Sequence, residues 1–252
     1  AYSNIPGYYN NSEYATDDAV INQKNDSYLT MATGGWTSRL WTAIDEWSRS
    51  FGTIQYLNLF LENVDQVKWA EDPVKAQLLA RRTKGEAYGL RGMFYYYLLR
   101  AHAGYSENGE LLGVPILPEF LTVNSQLNLP RASFQACVEQ IYSDLEKAEE
   151  LLPLEYEDVS EVPASYQDIT QDASKYNNAV GKKFRQLFNG LIARTYRARA
   201  ALLAASPAFQ DASNMVSWAD AADAAAAVLN YNGGLSGLAA DGVEYYSKDV
   251  VE

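Results

Sequence analysis

Tyr28, Trp36, Arg39 and Trp41 crowd around the flexible pair Gly34-Gly35, and of all side chains in this chain they are the best suited to holding a ligand. Tyr and Trp pair a flat apolar face with a polar tip. They can stack on a sugar ring or a protein partner, and they can equally anchor a loop; residue type alone does not choose. Trp41 falls off the apolar stripe set by Leu40 and Ile44, so it is expected outside the helix core. Asp26 to Trp41 is therefore the segment expected to make ligand contacts.

Catalytic chemistry finds less support. His102 is the one histidine, beside Ala101 and Ala103 at an expected helix end, where capping or packing is its expected role. With no second histidine, no alternative Ser/His/Asp set can be assembled, and no G-x-S-x-G elbow, P-loop, dinucleotide glycine fingerprint or H-E-x-x-H is present. The acidic clusters Asp17-Asp18, Asp45-Glu46, Glu149-Glu150 and Glu155/Glu157/Asp158 read as solvated faces. Glu155, Glu157, Asp158 and Glu161 lack the glycine and alternation of a calcium loop. Cys137, the single cysteine, excludes an internal disulfide and reads as a small buried hydrophobe. Catalytic residues, metal ligands and cofactors are accordingly expected to be none. Arg82 and Glu86, one helical turn apart, are expected to pair, with Arg91 as a further member of a structural ionic group. The net charge of −12 repels phosphate backbones, which sets nucleic acid aside as a partner.

The elements that must position these groups are helical. A helix is expected from about Ser38 to Val64 on the stripe Leu40, Ile44, Trp47, Phe51, Ile54, Asn58 and Leu61. Asn58 interrupts an apolar face, so its amide must be bonded, and a loop backbone is the expected partner. Asp72-Pro73 opens a second helix, with Asp as N-cap and Pro in the first turn, ending near Ala103-Gly104. Within it Gly85, Gly89 and Gly92 share one face, and each costs about 1 kcal/mol against Ala, which predicts a neighbouring helix pressed close. Further helices are expected from about Ser133 to Leu152, Lys182 to Ala205 and Trp218 to Leu229. Residues 105–130 and 155–178 are expected as surface loop excursions. No strand-type alternation of any length appears. Paired helices with small residues at their crossings predict an all-α, tetratricopeptide-like stack of helical hairpins without a strict repeat period.

Four blocks, in order, carry a family resemblance. Gly85-Glu86-Ala87 with Leu90-Arg91, the aromatics Phe94 to Tyr97 and then Gly113-Val114-Pro115 resemble the "gEA-x-x-LRA…GVP" pattern of the SusD/RagB outer-membrane nutrient-binding lipoproteins. Gly92 stands where that family has Ala. Trp47, Phe51, Ile54 and Asn58 are similar to its "Y-x-x-I-x-x-x-N" helix. Arg131, Ile141, Asp144-Leu145, Ala148 and Leu152-Pro153 resemble a third block. Gly181-Lys182-Lys183, Ala198-Arg199-Ala200 and Ala205-Ser206-Pro207 resemble a fourth.

The resemblance implies a single SusD-like helical domain over residues 1–252, expected to be the N-terminal portion of a longer protein. It implies a non-catalytic glycan-binding component of an oligosaccharide uptake system at the outer membrane. The implied partners are an oligosaccharide and a SusC-like TonB-dependent transporter, with attachment through a lipid anchor that this chain does not contain. In such relatives the ligand aromatics lie just before the helix bearing Asn58, which is what the resemblance implies for Tyr28, Trp36, Arg39 and Trp41. The residues themselves leave two alternatives open: a helical-repeat adaptor for a protein or peptide, and an all-helical glycoside hydrolase.

Overall fold

The computed structural model describes residues 1–7, 11–35, 37 and 45–238. Within them the chain forms seven α-helices: α1 Ser27–Ala32, α2 Trp47–Asn63, α3 Pro73–His102, α4 Phe134–Leu151, α5 Ala173–Val180, α6 Gly190–Ala205 and α7 Trp218–Tyr231. The helix starts follow capping chemistry. Asp72 accepts from the Val74 and Lys75 N–H groups with Pro73 behind it, Ser133 caps α4, Asn189 caps α6, and Ser217 with Asp220 forms a capping box on α7.

The thirty-residue α3 is the axis of the molecule. Helices α2 and α4 run antiparallel to it on two sides, α5 and α6 complete its surround, and α7 packs outside α6. This is the expected helical-hairpin stack. Its core runs along Leu78, Leu90, Phe94, Leu98 and Leu99 of α3, Ile54 of α2, and Val138, Ile141 and Leu145 of α4. Two of the three stripe glycines meet a helix as expected. A Cβ on Gly85 would sit 2.6 Å from the Leu152 side chain, and one on Gly92 would lie 3.1 Å from that of Leu145. Gly89 instead receives the ring of Phe188, from the segment leading into α6.

Several expectations are corrected. Helix α2 does not begin at Ser38: Asp45 and Glu46 are already non-helical, while residues 38–44 lie outside the described residues. The Asp45 carboxylate, one residue before the N-cap Glu46, accepts from the Trp47 N–H at 3.0 Å. The 105–130 stretch is partly interior, with Leu111, Val114 and Leu117 buried. It also contains a strand pair, β1 Gly104–Tyr105 against β2 Leu111–Leu112, turned at Gly109 with φ 80°. The 155–178 stretch buries Tyr156, Val162, Tyr166 and Tyr176 and includes the start of α5. Its acidic residues face water while its tyrosine rings pack inward. Helix α6 starts at Gly190, eight residues later than Lys182, because Asn189 provides the cap that Lys182 cannot.

Candidate functional site

A buried polar cluster fixes α2, α3 and α4 together. Arg91 of α3 donates to both carboxylate oxygens of Asp144 in α4, at 2.8 and 2.6 Å, and to the Asn58 Oδ1 of α2 at 2.8 Å. Asn58 in turn donates to the carbonyls of Leu117 and Glu119, at 3.1 and 2.9 Å, which is the expected loop-backbone partner. The expected grouping of Arg91 with Glu86 is not found. Glu86 pairs with Arg82 at 3.0 Å and accepts from the Tyr2 hydroxyl at 2.8 Å. Burial raises the Glu86 carboxyl above its ordinary range, against the pull of Tyr2 and Arg82.

That cluster holds one end of α2 firmly, and the other end carries the groups with unspent binding capacity. His102, in the last turn of α3, accepts the Glu46 N–H at its Nε2, 3.2 Å away. The imidazole is therefore neutral with its proton on Nδ1, an assignment read from the hydrogen bond. Burial holds His102 below its ordinary range, opposed by Asp45, whose carboxylate lies 3.3 Å from Nε2, and assisted by Arg131. The Trp47 indole stands edge-on to His102 at 5.3 Å and to Phe51 at 4.8 Å, yet stays 40% exposed. Its neighbour Glu46 is buried, and its Oε2 has no hydrogen-bond partner among the described residues; the same holds for the Ser50 hydroxyl. Burial raises the Glu46 carboxyl, while Arg49 and Arg100 draw it down. The Trp47 ring thus offers a half-open apolar face, whereas the Glu46 Oε2 and the Ser50 hydroxyl are buried and out of a ligand's reach.

Of the sequence-predicted ligand residues, the structure places Tyr28. It lies half-buried in α1, its N–H bonded to the capping Asp26 carboxylate at 2.9 Å, and α1 packs on the short 3-10 turn Ser12–Ala15. Trp36, Arg39 and Trp41 lie outside the described residues. Sequence reasoning missed Trp47 by assigning it to the apolar stripe. The signal that finds it is Asp45, an acidic residue two positions before the first helical residue, which makes Trp47 a first-turn position at the rim. A separate cleft of about 740 Å³ lies between α4, α6 and α7, lined by Tyr142, Arg194, Arg197 and Asp220 among others.

Comparison with known proteins bears on the whole arrangement. A SusD-like carbohydrate binding protein from Bacteroides fragilis NCTC 9343 superposes with a TM-score of 0.56 at 17% identity, over 87% of this chain and 34% of that one. A laminarin binding SusD-like protein gives 0.53 at 18% identity, over 82% and 33%. A SusD superfamily protein from Bacteroides thetaiotaomicron VPI-5482 gives 0.50 at 18%, over 74% and 34%. These likenesses establish the fold, and the chain spans about a third of the length of the solved structures it matches. No curated protein matches it. Residues 3–185 match the model of a SusD-like family described as starch-binding and associating with the outer membrane, and the chain belongs to that family.

Proposed function

We propose that this chain is the glycan-binding, non-catalytic component of an oligosaccharide uptake system, lipid-anchored at the cell surface and working with a TonB-dependent transporter. Membership of a family described as starch-binding supports the class of ligand. The fold likeness to a laminarin binding relative is consistent with it. The observation that carries the reading to particular residues is the half-open Trp47, a few positions after Trp36, Arg39 and Trp41 in the chain. The ring stacks on the apolar face of a pyranose.

Calorimetry with maltoheptaose and laminarin oligosaccharides tests this. Each of Trp36→Ala, Trp41→Ala and Trp47→Ala is expected to weaken binding by about tenfold, the loss of one good stacking contact. Unchanged affinity in all three removes the site. Release of sugar from any polysaccharide, abolished by one carboxylate substitution, would overturn the non-catalytic part.

A further inference from the structure

The last turns of α3 and the middle of α6 meet in a tyrosine cluster that holds two arginines. Tyr96, Tyr97 and Tyr196 pack edge-on with ring centres 5.5 to 6.0 Å apart, and the Tyr97 and Tyr196 hydroxyls are hydrogen-bonded at 2.8 Å. The Arg100 guanidinium carbon lies 5.1 Å from the Tyr97 ring centre and 5.9 Å from that of Tyr96. That of Arg199 lies 5.4 Å from Tyr96 and 5.3 Å from Tyr196. Both arginines are exposed, and among the described residues neither forms an ion pair.

This pairing of like charges is unusual in a chain with 32 acidic and 20 basic residues. Residues 87–102 of α3 contain no carboxylate, nor does any position of α6. Stacking on the tyrosine faces holds the two guanidinium groups in place, and Arg199 also hydrogen-bonds the Tyr96 side chain. Fixed, unpaired guanidinium edges match an oxyanion better than any neutral group. The Arg100 charge also draws down the carboxyl of Glu46, the residue before Trp47.

We propose that Arg100 and Arg199 receive an oxyanion carried by the bound sugar, so that the site prefers acidic oligosaccharides, bearing uronate carboxylates or sulfate esters, over neutral ones. The inference rests on the glycan-binding reading above. Calorimetry on the 252-residue chain would compare oligogalacturonate, a sulfated carrageenan oligosaccharide and neutral maltoheptaose, each against wild type, Arg100→Gln, Arg199→Gln and the control Arg197→Gln. At least one acidic sugar is expected to bind more tightly than the neutral one, and which one does so identifies the oxyanion. That affinity falls about tenfold in each of the first two variants, as the loss of a charge-assisted contact requires, and is unchanged in the control. Equal affinity for acidic and neutral sugars, or acidic binding indifferent to both variants, overturns the preference and leaves glycan binding intact. Binding of none of the sugars overturns the glycan reading, and this inference with it.

Discussion

Arg91, Asp144 and Asn58 are bonded to one another in a place water does not reach, so removing any one leaves the others buried with charges or dipoles unmet. Arg91→Met is expected to cost about 3–5 kcal/mol in urea unfolding, because Asp144 keeps its charge without a partner. Combining it with Asp144→Leu should recover much of that loss. The sequence exposes half of this cluster: Asn58 on an apolar stripe demanded a partner and found one in the loop backbone. It hides the other half, since Arg91 and Glu86 are five residues apart, about 140° around the helix, and cannot share a face. His102 gives a second residue-scale prediction. Its folded-state proton affinity is depressed, so the neutral ring's contribution is present above the ordinary imidazole range and lost as pH falls through it. Protonation removes the acceptor for the Glu46 N–H. The protection factor of that amide, and Trp47 fluorescence, should change between about pH 7 and about pH 5, and the change should be smaller in His102→Gln. Glu46 is shifted the other way, so its contribution is present at low pH and is lost as pH rises through and above the carboxylate range.

At the scale of elements, glycines report where helices touch. Gly52 lies in the exposed part of α2 with nothing within 4 Å of a built Cβ, whereas Gly89 has the Phe188 ring against it. Gly52→Ala should stabilise by about 0.5–1 kcal/mol through helix propensity. Gly89→Ala should destabilise by about 1–3 kcal/mol through overpacking, and thermal unfolding of the two variants separates the effects. That the glycine stripe marks close approach was readable from spacing. That Phe188, rather than a third helical contact, fills the place of Gly89 was not, because nothing in the local sequence links positions 89 and 188. Helix α5 was unreadable for a related reason. Its residues are polar apart from a few inward positions, and the burial of Tyr176, Ala179 and Val180 depends on α3 lying beneath them.

At the scale of the molecule, the chain's first residues are tied into its middle. The Tyr2 hydroxyl donates to Glu86 and accepts the Phe188 N–H, each at 2.8 Å, and Asn4 donates to the Thr53 hydroxyl at 2.9 Å. One phenol thus joins the N-terminal turn, α3 and the approach to α6. Tyr2→Phe should cost about 1–3 kcal/mol, because it leaves a buried carboxylate and a backbone N–H short of partners, and denaturant titration would register it as a lower midpoint. Tyr96, Tyr97 and Arg100 of α3 and Tyr196 and Arg199 of α6 form one cluster, a product of the stack rather than of either segment.

By itself the sequence determined the helical class, the cap at Asp72, the bonded amide of Asn58 and the four-block family resemblance. These are local matters: side-chain periodicity, cap chemistry and short motifs are set within a turn or two of chain. The tertiary structure alone decided that Arg91 pairs with Asp144, that Trp47 stands half-open beside His102, and that two arginines share one tyrosine cluster. Each joins residues tens of positions apart, and such contacts follow from which helix faces meet, a property of the packed stack that no local pattern encodes.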